Sequence, residues 1–175
     1  MFKRILVALD SSSLRQTVLD QALDLAQVAG AKLLLLHVLS AYEEGSPGIP
    51  IRSYQAYYPV LDDVVWKDYQ KRWETFETHR LAMLQRDSDL ATAAGVEVEF
   101  SQSAGDPANT ICAVAKSWDA DLIVVGSHGR KGLGELLLGS VSNHVMHHAA
   151  CSVMVVHGGH PVEADMPLAT ATSQA

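Results

Sequence analysis

The chain has 175 residues, 48% of them apolar, and a formal net charge of −7 from 13 Lys plus Arg against 20 Asp plus Glu. That apolar fraction excludes an intrinsically disordered chain, and the length suits one domain. The acidic balance argues against general nucleic-acid binding, which needs a basic face. It leaves room for a phosphate, because a local nest of backbone N–H groups can hold an anion inside an acidic protein.

The N-terminus opens directly on a strand, with no signal-peptide pattern and no apolar run long enough to span a bilayer; a cytoplasmic protein is expected. Ile5-Leu6-Val7-Ala8-Leu9 is apolar on both faces, as a central parallel strand is. Asp10 follows, then Ser11-Ser12-Ser13, residues suited to cap a helix starting near Leu14. Leu14, Val18, Ala22, Leu25 and Ala29 recur at helical spacing, and Gly30 fits a helix end. Lys32 to Leu39 reads as a second buried strand ending in His37-Val38-Leu39.

Residues 40–60 hold Gly45, Pro47, Gly48, Pro50 and Pro59 and predict an irregular insertion, rich in tyrosine, whose segment from Glu43 to Pro59 is expected to be peripheral to the fold. Residues 61–94 predict one long helix, with Val65, Tyr69, Trp73, Phe76 and Leu84 facing inward and Lys67, Lys71, Glu74 and Glu77 facing water. Gly95 stops it. Val96-Glu97-Val98-Glu99-Phe100 alternates strictly, which predicts an edge strand with one wet face. Asp106-Pro107 is a helix start, N-cap followed by N1, and Ile111, Val114, Ala115 and Trp118 form that helix's inner face. Leu122-Ile123-Val124-Val125 is a further buried strand. Ser140 to about Ala149 predicts a helix, and Ser152 to Val156 the last strand. Residues 158–175 lack the apolar content to pack and are expected to form a flexible tail. Cys112 and Cys151 lie in apolar patterns and read as buried reduced thiols.

Strands and helices alternate as βαβαβαβαβ, which predicts a parallel sheet with helices on both faces and a ligand site beyond the carboxyl ends of the strands. Two loops there carry suitable chemistry. One follows the first strand and holds Asp10. The other follows Val125 and runs Gly126-Ser127-His128-Gly129-Arg130-Lys131-Gly132-Leu133-Gly134 to Gly139-Ser140, where a helix opens. Glycine permits close backbone approach to a ligand, and a helix start supplies free N–H groups and a partial positive charge. A phosphate suits that combination. The loop is neither a Walker A sequence nor a dinucleotide fingerprint.

The spacing Gly126, two residues, Gly129, nine residues, Gly139-Ser140 resembles the nucleotide-binding signature of the universal stress protein family, in its ATP-binding branch, and the resemblance extends over residues 2–157. It implies a single domain over residues 1–157 with a five-stranded parallel sheet of order 3-2-1-4-5, a Rossmann-like arrangement of the adenine nucleotide alpha hydrolase type. By the same resemblance, Ala8, Leu9 and Asp10 approach adenine and ribose, and Val38 contacts adenine. Val125, Gly126, His128, Gly129, Arg130, Gly139, Ser140, Val141 and Ser142 form the ribose and phosphate side. The implied cofactor is ATP, with Mg²⁺ bound through the phosphates. A homodimer through residues 152–157 and an unidentified regulatory protein partner are further expectations.

Other readings stay open at this level. Asp10 suits an N-cap as well as a ligand, and Val38 suits ordinary core. His144 and His148 have the spacing of two metal ligands, but no Glu follows the first histidine and no third ligand is evident, so they read as surface histidines. A nucleotide-dependent stress-response switch is the leading function, with no catalytic residue assigned. A slow ATPase or phosphotransferase using the same site is the alternative, and it lacks an evident base beyond His128. A flavin or dinucleotide protein is disfavoured by the missing fingerprint.

Overall fold

The computed structural model describes residues 1–48, 50, 59–127 and 138–158. Nine elements alternate along it: β1 (Arg4–Ala8), α1 (Arg15–Ala29), β2 (Lys32–Leu39), α2 (Pro59–Ala93), β3 (Val98–Ala104), α3 (Pro107–Ser117), β4 (Leu122–Gly126), α4 (Ser140–His148) and β5 (Ser152–Val156). The strands form one sheet of order β3-β2-β1-β4-β5, with every neighbouring pair parallel. Two of the expectations, the strand order and the edge position of β3, hold.

Apart from Arg4, Lys32 and His37, the central strands β1, β2 and β4 are built of apolar residues and glycine because both of their faces are covered. Successive residues divide between two cores. Ile5, Val7, Leu33, Leu35 and Val124 join Val18, Leu19 and Ala22 of α1 and Leu84 of α2. Leu6, Leu34, Leu36, Val38, Ile123 and Val125 join Ile111 and Ala115 of α3 and Val145 of α4. The period of two along a strand thus assigns each side chain to one helical layer.

Gly30 ends α1 in the left-handed conformation (φ 63°), its N–H bonded to Ala26 O. Asp106 caps α3 as expected, accepting from Asn109 N–H at 2.9 Å. The expected capping of α1 does not occur. No side chain caps it, and Asp10 Oδ1 instead accepts from Ser12 N–H at 3.0 Å, forming a turn before the helix. The buried stripe of α1 is Val18, Leu19, Ala22 and Ala26, so Leu25 and Ala29 lie at its margin.

α2 departs most from expectation. It begins at Pro59, so the irregular insertion is shorter than residues 40–60. Its 35 residues extend about 52 Å, whereas the eight-residue β2 spans about 26 Å. The first part therefore overruns the sheet. Val65 is 47% exposed, Tyr69 and Trp73 are half-buried, and burial begins at Phe76 and continues through Leu84, Asp87, Ser88 and Ala91. β3 likewise starts two residues later than its alternating pattern, at Val98. The expected flexible tail lies outside the described residues from 159 onward, as do residues 51–58 of the insertion.

Candidate functional site

β1 and β4 are direct neighbours, with Ala8 opposite Val125. Their carboxyl ends therefore release Asp10 and the Gly126 loop side by side. Asp10 is exposed, with one carboxylate oxygen turned to Ser12 N–H. A carboxylate has further lone pairs for a ligand's hydroxyl or amino group. Val38, on the strand flanking β1, is 9% exposed and packs into the core shared with α3 and α4. Ala8 and Val141 pack partly against that same core. Of the expected base-side residues, Ala8 and Val38 thus lie on the α3/α4 side of the sheet, while Leu9 faces the other way.

The β4–α4 connection is closed at its base. Ser127 N–H donates to Val156 O at 2.8 Å, which carries the chain on along β5. Gly139 N–H then donates to Ser127 O, 2.6 Å away. A Cβ on Gly139 would meet that same carbonyl oxygen at 2.6 Å, closer than side chains tolerate. Glycine is thus required here by close backbone contact, while its φ of −59° is ordinary. Ser142 is 1% exposed, and its hydroxyl donates to Gly139 O at 3.0 Å with Ser127 O at 3.4 Å. The resemblance places Ser142 on the ribose and phosphate side; in the structure its hydroxyl holds the loop base.

The α4 ladder starts with Asn143 N–H on Gly139 O at 2.9 Å. The N–H groups of Ser140, Val141 and Ser142 precede that ladder by position, which is the feature that favours anions at helix starts. His128, Gly129 and Arg130, expected on the phosphate side, lie outside the described residues, as does Lys131.

The opposite side of the same edge holds a polar network that sequence reasoning missed. A narrow crevice there is lined by residues that include Asp10, Arg15, His37 and Arg80. Val38, Gly126 and Gly139 do not line it. Arg15 forms an ion pair with Asp87, itself 4% exposed. His37 Nε2 lies 3.0 Å from Glu43 Oε1, and Arg80 Nε reaches the same oxygen at 3.1 Å. Arg80 also donates to Glu44 O at 2.8 Å and covers the Phe76 ring at 4.8 Å. The first residues of the insertion are therefore anchored, against the expectation that it is peripheral from Glu43 onward. Burial pushes the Asp87 carboxyl above its usual range, opposed by the nearby Arg15 and Arg86 guanidiniums. The signal for this network was available: His37 is the single ionisable side chain between Leu33 and Leu39.

Cys112 and Cys151 are free thiols, half-buried rather than fully buried, and burial raises both above the ordinary thiol range. No group of three or more His, Cys, Asp or Glu that could hold a metal occurs among the described residues.

The model of the universal stress protein family matches residues 1–157. The chain belongs to this family. It is 34% identical over 155 residues to universal stress protein Sll1388 of Synechocystis, covering 89% of this chain and 97% of that one. The solved structure of universal stress protein UspA from Lactobacillus plantarum is 29% identical, with a TM-score of 0.63 over 89% of this chain and 97% of its own. Two more distant structures share the fold. A universal stress protein in complex with cAMP is 23% identical with a TM-score of 0.57, over 89% of this chain and 97% of its own. A family protein of Arabidopsis thaliana with AMP bound is 22% identical with a TM-score of 0.56, over 90% and 92%. The family's Rossmann-like α/β architecture is the one described above. No described helix is long and apolar enough to cross a membrane.

Proposed function

We propose that this family member binds ATP at the carboxyl edge of β1 and β4 and acts as a nucleotide-dependent regulatory protein of the stress response in the cytoplasm. The observation that carries the reading is the juxtaposition, on adjacent strands, of Asp10 with a glycine loop whose closed base opens directly into α4. Base and ribose lie toward Asp10 and Val38. Phosphates lie toward Gly126, His128, Gly129, Arg130 and the N–H groups from Gly139 to Ser142, with Mg²⁺ held by the phosphates. The adenine nucleotides bound by two fold neighbours support the ligand class. ATP rather than a monophosphate follows from the length of the glycine loop and its cationic residues, Arg130 and Lys131.

Titration calorimetry with ATP and with adenosine tests the site. Asp10→Ala is expected to weaken both ligands alike, by about 1–3 kcal/mol for a lost charge-assisted hydrogen bond. Gly129→Val is expected to weaken ATP far more than adenosine. Wild-type ATP affinity in folded Gly129→Val removes the phosphate assignment. A regulatory role requires negligible phosphate release while ATP is bound; steady turnover makes the protein an ATPase instead.

The reading includes a homodimer through β5. That strand ends the sheet, with Ser152 exposed and Val153, Met154 and Val155 half-buried, so its outer backbone edge is open to a second chain. A monomeric mass by light scattering at micromolar concentration removes the dimer.

A further inference from the structure

α4 carries His144, His147 and His148 toward its C-terminal end. His144 and His148 are one turn apart, and their rings are stacked with centroids 4.0 Å apart and planes inclined by 14°. The spacing alone places the two on one face and left them as surface histidines. The ring geometry adds what spacing does not contain.

His148 Nδ1 lies 2.9 Å from the carbonyl oxygen of His144. A carbonyl only accepts, so Nδ1 carries the proton. In the neutral ring the free lone pair then sits on Nε2. Metal-binding histidines are oriented by this same bond from Nδ1–H to a backbone carbonyl. The neighbouring His144 ring supplies a second imidazole on the same face of the helix. With Zn–N bonds near 2.0–2.1 Å, two imidazoles on a tetrahedral ion place their donor atoms about 3.3 Å apart. In the stacked arrangement the two in-plane lone pairs run side by side, so the rings tilt apart to share an ion, a rotamer change open to a pair that faces solvent. His148 is exposed and His144 partly so, which gives an ion access from solvent. The unpaired carbonyls at the end of a helix add a partial negative charge that favours a cation.

We propose that His144 and His148 form a two-imidazole site for a divalent transition metal, Cu²⁺ or Zn²⁺, whose coordination is completed by water. Imidazole ligands suit these ions, with Cu²⁺ bound more tightly, while Mg²⁺ and Ca²⁺ require oxygen donors. No third protein ligand converges among the described residues, so positions remain open for water or for a ligand from another molecule. The site is independent of the nucleotide reading: His144 and His148 lie one and two turns past Ser140 on α4, and its metal needs no phosphate.

The test uses the full chain and the metal alone. Zn²⁺ is titrated calorimetrically into wild type and into His144→Ala, His148→Ala and His147→Ala, each checked for folding by circular dichroism. Wild type and His147→Ala are expected to share one Zn²⁺ site. Each of the other two variants is expected to weaken it by at least the about tenfold that loss of a supporting residue around a metal ligand costs. The Cu²⁺ electron paramagnetic resonance spectrum should show two coupled nitrogens in wild type and fewer in His148→Ala. Saturating adenosine, which has no phosphates to chelate the metal, should leave both readouts unchanged. Wild-type affinity in folded His144→Ala and His148→Ala overturns the proposal, and so does loss of the site in His147→Ala alone. If His144→Ala fails to fold, the exposed His148→Ala position decides.

Discussion

The carboxyl edge of the sheet is tied down differently on its two sides. On the α1/α2 side, charged side chains do it: Arg15 with Asp87, and His37 and Arg80 with Glu43. On the α3/α4 side, backbone groups do it: Gly139 N–H on Ser127 O and Ser127 N–H on Val156 O, with the Ser142 hydroxyl adding to them. The difference decides which side suits an anion. On the first side the cations already have carboxylate partners, and a phosphate would have to separate desolvated pairs. On the second side the closure leaves the first N–H groups of α4 ahead of the helical ladder. The two sides should also fail differently. A side-chain tie breaks when a partner is deleted and leaves a buried charge behind. A backbone tie breaks when atoms are added where none fit.

The largest effect is expected from Arg15→Ala, about 4 kcal/mol of lost stability at neutral pH, because Asp87 is left ionised in the interior. Its pH dependence identifies the cause. Burial holds the Asp87 carboxyl above its unfolded range while Arg15 and Arg86 pull it down. A raised carboxyl pKa means the folded state takes up a proton before the unfolded state does, so the cost is relieved at low pH and grows as pH rises through the folded value. Removing Arg15 raises that value further. Urea denaturation should therefore show the variant's deficit shrinking on acidification; an equal deficit at both pH values would assign it to lost packing.

Glu43→Ala should follow, at about 3 kcal/mol, since it leaves His37 and Arg80 without their shared carboxylate. Their side chains are only 6% and 11% exposed. Glu43→Gln should cost less, because an amide oxygen can still accept from His37 or Arg80. Equal melting temperatures for wild type and Glu43→Ala would show that the insertion's first residues are peripheral after all.

These two ties mark where the sequence was hard to read. The strands were legible because Ile5, Leu6, Val7 and their counterparts are apolar on both faces, which only a covered sheet explains. Gly30 and Asp106-Pro107 were legible because each acts locally. The inner face of α2 was legible only in part: Phe76 and Leu84 are buried, while Val65, assigned to the same face, is exposed, and nothing local says where the helix leaves the sheet. Asp87 had no role assigned from the sequence, and its burial goes with Arg15, far away in the chain. At the site, Asp10 and the glycine loop were found by type and spacing. Their adjacency came from the family's strand order rather than from the residues. The reason for Gly139 was invisible, because the atom that excludes a side chain belongs to Ser127 across the loop. The partners of the Ser142 hydroxyl at the loop base were invisible for the same reason.

On the backbone side, Gly139→Ala adds one carbon against a carbonyl oxygen that cannot swing away. The φ of −59° carries no penalty, so the cost is that of overpacking, about 2 kcal/mol. Ser142→Ala removes one buried hydroxyl hydrogen bond and should cost about 1 kcal/mol. If the loop base positions the N–H groups of α4, both variants should also weaken ATP more than adenosine. A stability loss in Gly139→Ala with unchanged ATP affinity would separate the tie from the ligand.

The smallest effect on stability should come from Asp10→Ala, and its smallness is informative. Asp10 stands between the two sides: it lines the crevice with Arg15 and Arg80, and it follows the strand beside β4. It is exposed, it does not cap α1, and its hydrogen bond in the structure is the turn to Ser12 N–H. Losing a solvent-exposed bond of that kind should cost no more than about 0.5 kcal/mol. A ligand that uses the remaining lone pairs would lose several times as much, because the carboxylate's partner is then desolvated. Comparing the urea midpoint of Asp10→Ala with its adenosine affinity sets the two roles against each other in one variant. A small midpoint shift with a large affinity loss makes Asp10 a binding residue. A large midpoint shift, with adenosine affinity reduced only in proportion to the folded fraction, would place it with Arg15 and Glu43 among the ties.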